Sequence, residues 1–491
     1  MFSAWDWAVV ALYFAAMAGI GAHFSRKNRD FKDFMFGGGQ MPWLAVGISL
    51  IATSVSASTF LGNPADAFAQ DMRLLMLGGG SLLAIVVTGY VFIPRFRASG
   101  AHSAYELLET RFSRPVRLLA ATLYSLHLLL RTGLLIYVPA LVLERILHVP
   151  LWGSILLMSL AAILYTYHGG IRAVTWTDVV QFAVFFGAGI GALWFCADQL
   201  GGFGEAFRLA GEAGKTRWFS AEWNPASDRN LWSAVGAYAV FELAIRGCDQ
   251  QFVQRYISCR SVREANLSSL ASGLLGIAVG IVFFLLGAFL FAYYRVAELA
   301  PLPLENVNQA FPHFILTTLP AGFKGLLVAA ILAAAMSSQS SALTALSNTT
   351  VIDFMRRDGA SAASLKPARH WVLIWGVAGT AAAFLAALGE QSILAKALFF
   401  TSLFIGPLLA LFLMAFFRPA LNPRAVFGGA VGGMLTLLLF LDIPLLPPGV
   451  WNPPLGGIFS WPWNPLIALV ATMVIAEGLN GVMGRRIKSP S

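Results

Sequence analysis

The run Ala333-Ala-Ala-Met-Ser-Ser-Gln-Ser-Ser-Ala-Leu-Thr-Ala-Leu-Ser-Asn348 carries five serines, a threonine and no charge inside a long apolar segment. At about 3.6 residues per turn, Ala334, Ser337, Ser338, Ser341, Ala345 and Asn348 share one face with Ser340 beside it, which makes a small, oxygen-rich stripe. Two readings are open. Small residues let another helix approach closely and bond through hydroxyls, and the same hydroxyls can ligate a hard cation such as Na⁺. A second stretch, Ala52-Thr-Ser-Val-Ser-Ala-Ser-Thr-Phe-Leu-Gly-Asn-Pro64, is polar in the middle of another hydrophobic segment. Its hydroxyls, Gly62 and Pro64 suit a discontinuous membrane helix, because carbonyls freed at a break cannot be satisfied by lipid. A cation held between those carbonyls and the serine stripe would satisfy them.

Working outward, the 491 residues are 58% hydrophobic and 12% charged, far from a soluble composition, so the chain reads as an all-α polytopic membrane protein. Stretches long enough to cross a bilayer fall at about 5–24, 41–69, 74–94, 116–143, 151–167, 174–199, 231–253, 267–294, 322–352, 371–388, 394–417, 426–446 and 462–481, about thirteen spans. The first opens with Trp5 and Asp6 rather than a basic region, and reads as a retained helix rather than a signal peptide. With the N-terminus outside, the inner loops hold 22 of the 33 basic residues, Arg117 and Arg255 among them, and the outer loops seven, which sets the C-terminus in the cytoplasm. The net charge of +9 therefore lines the cytoplasmic rim of an inner, or plasma, membrane and suits anionic lipid rather than nucleic acid. Cys196, Cys248 and Cys259 show neither metal spacing nor a disulfide framework. Ser103-Ala-Tyr-Glu-Leu-Leu-Glu109 predicts a short interfacial helix with Ser103 as its N-cap.

Charge at membrane depth is rare and therefore informative. Asp178 follows His168-Gly-Gly-Ile-Arg-Ala-Val-Thr-Trp-Thr, Arg131 lies inside the fourth span, and Glu242-Leu-Ala-Ile-Arg246-Gly-Cys-Asp249 makes the seventh span the most charged. The second and seventh spans are both interrupted by polar residues, five spans apart. Paired broken helices at matching places in two halves point to an inverted-repeat secondary transporter.

In this order, Phe36-Gly-Gly-Gly39, Ala52–Pro64, Tyr165-Thr-Tyr-His-Gly-Gly-Ile-Arg-Ala-Val-Thr-Trp-Thr-Asp-Val-Val-Gln181, Asp249-Gln with Val253-Gln-Arg-Tyr256, and Ala333–Ser341 resemble the sodium:solute symporters. That family includes bacterial sialic acid, galactose and proline carriers and the animal iodide, monocarboxylate and vitamin branch. The resemblance implies a LeuT-like core of two inverted five-helix repeats, 41–199 and 231–417, with an extra N-terminal helix at 5–24 and two C-terminal helices within 426–481. It implies a main sodium site on the carbonyls of Ala52, Val55 and Ala334 and the hydroxyls of Ser337 and Ser338. A second sodium site would use Asp178, Ser337, Ser340 and Ser341. Substrate-facing positions are Ser54, Ser56 and Thr59 on the broken second span, Arg131, and Glu242 and Arg246, the last two departing from the sugar carriers. Arg131 matches the arginine with which sialic acid transporters hold a carboxylate. Gly78 and Leu74 stand where those transporters have Gln and Phe, which argues against sialic acid itself.

An arginine at a helix centre costs about 2.5–3.5 kcal/mol on insertion scales, so Arg131 needs a wet cavity or a partner, and its fork suits an organic acid. Glu242 and Arg246, spaced i, i+4, can neutralise one another, leaving Arg131 for substrate; if Glu242 pairs with Arg131 instead, the pocket suits a zwitterion. The expected function is sodium-coupled symport of a small organic anion, a monocarboxylate or acidic sugar, by alternating access in a single multi-pass domain working as a monomer. An amino acid, zwitterion or sugar is the alternative within the fold, and a non-transporting membrane sensor the alternative outside it. The sequence shows no triad, metal cluster or phosphate loop, so no enzymatic chemistry is expected.

Overall fold

The computed structural model describes residues 2–25, 31–147, 149–299, 307–355, 366–387, 393–441 and 450–487. These are helical with connecting turns; among the described residues, the β-type pairing is an isolated bridge between Met41 and Cys259. The long helices are α1 (Ala4–Ser25), α2 (Trp43–Ser54), α3 (Ala57–Ala69), α4 (Arg73–Ser99), α5 (Arg114–Leu147) and α6 (Leu151–Gln199). They continue as α7 (Tyr238–Cys248), α8 (Gln250–Ser258), α9 (Val262–Phe291), α10 (Phe323–Thr349), α11 (Lys366–Ala387), α12 (Ile393–Phe417), α13 (Pro423–Leu437) and α14 (Asn464–Ile487).

Helix meets every predicted span. Among the described residues, seven helices are long and apolar enough to cross a membrane, and α2 with α3 make an eighth, bent by 59°. The predicted fifth and sixth spans are the two arms of the 49-residue α6, parted at Gly170 with φ 58° and ψ −161°. A side chain there would come within 2.6 Å of the Phe34 carbonyl, so glycine is required both for the backbone angle and for the close approach. The twelfth predicted stretch, 426–446, runs past α13 into residues outside those described.

Both expected breaks are present. Between α2 and α3, Val55 (φ −82°, ψ 124°) and Ser56 (φ −121°, ψ 175°) are extended, and Ser56 opens α3 through a capping box with Thr59. Between α7 and α8, Asp249 is extended (φ −76°, ψ 125°) and caps α8 by accepting from the backbone N–H of Gln251. The bonds of the predicted Ser103 cap are present: Ser103 Oγ accepts from the Tyr105 N–H at 3.1 Å, and Glu106 Oε2 accepts from the Ser103 N–H at 3.2 Å, with regular helix from Glu106. The same hydroxyl donates to the buried carboxylate of Asp353 at 2.6 Å.

The serine-striped α10 is the axis of the molecule: 94% of its membrane-depth window is buried, against 22% for α1 and α14. Its start is pinned by Asp6 of α1, whose Oδ1 accepts from the backbone N–H groups of Gly322 and Gly325 at 2.8 Å each. Negative charge at a helix N-terminus is favourable. Closeness is again decisive, since a Cβ on Gly325 would lie 2.4 Å from the Asp6 carbonyl.

Two polar latches flank this axis. At the end with the basic loops, Arg117 Nε and Nη1 hold Asp353 Oδ1 and Glu109 Oε2 at 2.8 Å each, and Nη2 reaches the Ile352 carbonyl at 2.9 Å. At the other end, Arg229 pairs with Asp66, and Lys215 donates to the carbonyls of Phe68, Ala69 and Gln70 at 2.8, 3.1 and 2.9 Å, closing the C-terminus of α3. Burial holds the Lys215 amine below its usual pKa.

Candidate sodium and solute site

The break after α2 exposes carbonyls toward α10, and the stripe meets them. Ser337 Oγ donates to the Ala52 carbonyl at 2.9 Å and to that of Ala334 at 3.1 Å. Ser338 Oγ lies 3.3 Å from the Val55 carbonyl, 3.4 Å from that of Thr53 and 3.2 Å from that of Ala334. The five residues expected to form the main sodium site thus come together. Ser338's contacts are all long for O–H donors, as befits oxygens arranged around something other than one another. Beside these contacts lies a cavity of ≈ 10 Å³ lined by Ala52, Val55, Ala334, Ser337 and Gln181 together with Phe182 and Phe185, room for one water-sized body. An all-oxygen donor set of this size fits a hard monovalent cation.

Gln181 was not among the expected site residues. Its Nε2 donates to Tyr13 Oη at 3.1 Å, while Oε1 is buried without a hydrogen-bond partner. Its place in the quoted Thr-Asp-Val-Val-Gln181 segment, one helical turn after Asp178, is the signal that could have found it.

Of Asp178, Ser337, Ser340 and Ser341, expected to form a second site, Asp178 and Ser341 bond a buried arginine. Asp178 is fully buried; its Oδ2 accepts from Ser49 Oγ at 2.5 Å and from Arg255 Nη2 at 3.0 Å, while Oδ1 has no partner. Arg255 Nη2 also donates to Ser341 Oγ at 2.6 Å, and its Nε to Ser49 Oγ at 2.7 Å. Ser340 Oγ turns to the Ser337 carbonyl at 3.0 Å. Arg255 is therefore no loop cation, as its place among the inner-loop residues implied, but the largest fully buried side chain in the protein among those described. The reason is its position on α8, nearly two turns after the break, where Asp178 supplies the countercharge.

Of the substrate-facing positions, Ser54 Oγ donates back to the Leu50 carbonyl at 3.1 Å, and Ser56 and Thr59 form the capping box at the start of α3. Phe60, the next residue, is enclosed by Phe185, Phe283 and Phe311 at ring separations of 5.0–5.3 Å. Glu242 and Arg246 pair with one another, Nε to Oε1 at 2.7 Å, with Arg246 Nη1 on Ser272 Oγ at 2.9 Å and the Tyr238 hydroxyl on Glu242 Oε2 at 3.3 Å. The i, i+4 alternative is thus the one realised, and no bond joins Glu242 to Arg131. Arg131 is half-buried; among the described residues it makes no hydrogen bond or ion pair, although its charge acts on Asp249.

Broken helices in both halves, facing a buried polar centre within a wholly helical membrane scaffold, define an ion-coupled secondary transporter. The sequence profile of the sodium:solute symporter family matches residues 34–436, and the chain belongs to that family. It is 32% identical over 469 residues to the human sodium/iodide cotransporter, covering 91% of this chain and 71% of that one. It is equally 32% identical over 450 residues to the sodium/sialic acid symporter SiaT of Proteus mirabilis, covering 88% of each. The solved structure of a substrate-bound, outward-open Na⁺-coupled sialic acid symporter superposes with a TM-score of 0.86 at 28% identity over 98% of both chains. The fold is the LeuT-like inverted-repeat type, and sodium is the coupling ion of the family.

Proposed function

We propose that this multi-pass protein couples inward sodium movement to uptake of a small organic anion, a monocarboxylate or acidic sugar. The carrying observation is Arg131. Arg246 and Arg255 each hold a carboxylate, whereas Arg131 stands half-buried without a hydrogen-bonded counter-ion among the described residues. A guanidinium at that depth is stabilised by an incoming carboxylate, which it grips through two parallel bonds.

Sodium binds on the carbonyls of Ala52, Val55 and Ala334 and the hydroxyls of Ser337 and Ser338, bridging α2 to α10 and favouring the open state. Solute then enters near Ser54, Ser56, Thr59 and Arg131, with the Glu242–Arg246 pair shaping the wall, and closure follows as the repeats 41–199 and 231–417 rock against one another. Release follows when sodium escapes to the cytoplasm, the side on which the basic loops and the C-terminus lie. The plasma membrane is its site, and one monomer contains the whole path.

Energetics bear on stoichiometry. One sodium carried with a monoanion moves no net charge and gains only ~1.4 kcal/mol from a tenfold gradient. Two restore a net charge, add ~2.3 kcal/mol at 100 mV and total ~5.1 kcal/mol, more than a thousandfold accumulation. A second sodium at Asp178, Ser337, Ser340 and Ser341 requires the Arg255 guanidinium to withdraw from Asp178.

Proteoliposome uptake tests the reading. Arg131→Ala is expected to cut carboxylate uptake by about tenfold or more, since a charged hydrogen bond contributes ~1.5–3 kcal/mol. Normal carboxylate uptake by that variant would exclude an organic anion. The charge of Asp249 beside Arg131 favours a second reading, a zwitterion, which Asp249→Asn would impair while sparing simple acids.

A further inference from the structure

On the face that carries the basic loops, a cavity of ≈ 330 Å³ opens where three spans end: the Gly-rich turn before α2, the end of α4 and the end of α8. Lys32, Gln40, Phe96, Arg97 and His102 are among its lining residues, and among the described residues no carboxylate lines it. Among the described residues, two of its charges are left without a counter-ion. Arg97 spends Nη1 and Nη2 on neutral acceptors, the carbonyls of Tyr256, Ile257, Cys259 and Arg260 at 2.8–3.4 Å, so its charge is not cancelled. Lys32 is exposed and, among the described residues, makes no ion pair or hydrogen bond. Of the neighbouring described acids, Asp33 pairs with Arg172 at 3.0 Å and Glu106 lies 3.5 Å from Arg117 while accepting from the His102 N–H at 2.6 Å, and Glu264 accepts from the Arg260 N–H at 3.3 Å. His102 is anchored by its backbone, with its carbonyl accepting from Asn348 Nδ2 at 3.1 Å and its ring against Phe36 at 5.6 Å. Cys259 adds no charge, because burial pushes its thiol up to about 12.

We infer that this cavity is a binding site for a phosphate-bearing anion, held by Lys32, Arg97 and His102 at the membrane edge. The chemistry is that of basic pockets at span ends, which take anionic headgroups. Its depth, at the ends of spans, is the depth of the phosphodiesters of the adjoining leaflet, and its volume exceeds that of a single phosphate. The consequence for the protein follows from what the walls are: Gln40 precedes α2 and Ile257 and Cys259 stand at the end of α8, and just behind them the Met41 N–H donates to the Ser258 carbonyl at 3.0 Å. These belong to the two broken spans, and a bound anion ties their ends together. The proposal stands whether or not the sodium reading holds.

Purified full chain in neutral detergent, stripped of lipid, provides the test by thermal unfolding. Phosphatidylglycerol is titrated against phosphatidylcholine, and inorganic phosphate against chloride at matched ionic strength. A rise in unfolding temperature with phosphatidylglycerol alone supports the site with a lipid source. A rise that also appears with millimolar phosphate supports it with a soluble source. In either case Lys32→Gln, at an exposed position, is expected to raise the concentration for half-maximal effect about fivefold while leaving the ligand-free unfolding temperature unchanged. His102→Ala provides a second disruption on another wall. No rise with either anion, or a rise of the same midpoint in both variants, overturns the proposal.

Discussion

Ser338 sits within 3.4 Å of three main-chain carbonyls from two helices, an arrangement in which its hydroxyl can serve only one of them at a time. A cation serves all of them. Ser338→Ala is accordingly expected to raise the sodium concentration for half-maximal uptake by about tenfold, at the ~1–3 kcal/mol cost of a lost buried partner, with little change at saturating sodium. Uptake measured across a sodium titration decides it; an unchanged half-saturation point would remove Ser338 from the site. Arg255 poses the opposite case, a buried cation already paired. Arg255→Leu leaves Asp178 charged and alone and is expected to cost about 3–5 kcal/mol of stability, whereas the double variant with Asp178→Asn loses much less. Unfolding of the four species in a mutant cycle reads the coupling, and strict additivity would show the pair to be energetically idle.

At the scale of elements, a helix can be broken within the membrane only where its freed groups find partners. After α2 those partners are the α10 serines; after α7 they are supplied locally, because Asp249 caps α8 and its Oδ1 also accepts from the Tyr124 hydroxyl at 2.9 Å. One break can therefore change partners with an ion and the other is fixed by side chains. The short helix Ala310–Thr317 rests on the α3 side of the first break through Phe311 against Phe60, and its His313 ring lies 3.0 Å from the Tyr294 hydroxyl. Burial lowers the His313 pKa below the usual histidine value. The unfolded chain then binds more protons than the folded one just below pH ~6.5, so stability falls as pH drops through that window. Unfolding temperature recorded from pH 8 to 5 is expected to decline on acidification, and His313→Gln is expected to flatten that part of the profile.

Over the whole molecule, the two latches hold opposite ends of the same axis. Arg117 ties the end of the α10 span to α5 and to the helix Glu106–Arg111, and Lys215 and Arg229 tie the segment after α6 to α3. Alternating access requires each to release in turn. Arg117→Met strands the buried Asp353 carboxylate and is expected to destabilise the protein by about 3–5 kcal/mol, most of it recovered by adding Asp353→Leu. Thermal unfolding of single and double variants checks this, and equal loss in both would place the stabilisation in Glu109 and Glu106 instead.

The sequence alone marked the helical spans, the two breaks and the residues that meet at the candidate ion site, because each leaves a local mark: hydropathy over the length of a bilayer, hydroxyls and Pro where apolar residues belong, and a stripe at helical spacing. The pairing of charges was decided only by tertiary structure. Glu242 could face Arg246 or Arg131, Arg255 could lie in a loop or in the core, and nothing local announced that the Ser103 cap also serves Asp353. Electrostatic energy depends on separation in space, and residues 77 or 250 positions apart, such as Asp178 with Arg255 or Ser103 with Asp353, acquire a separation only when the helices pack.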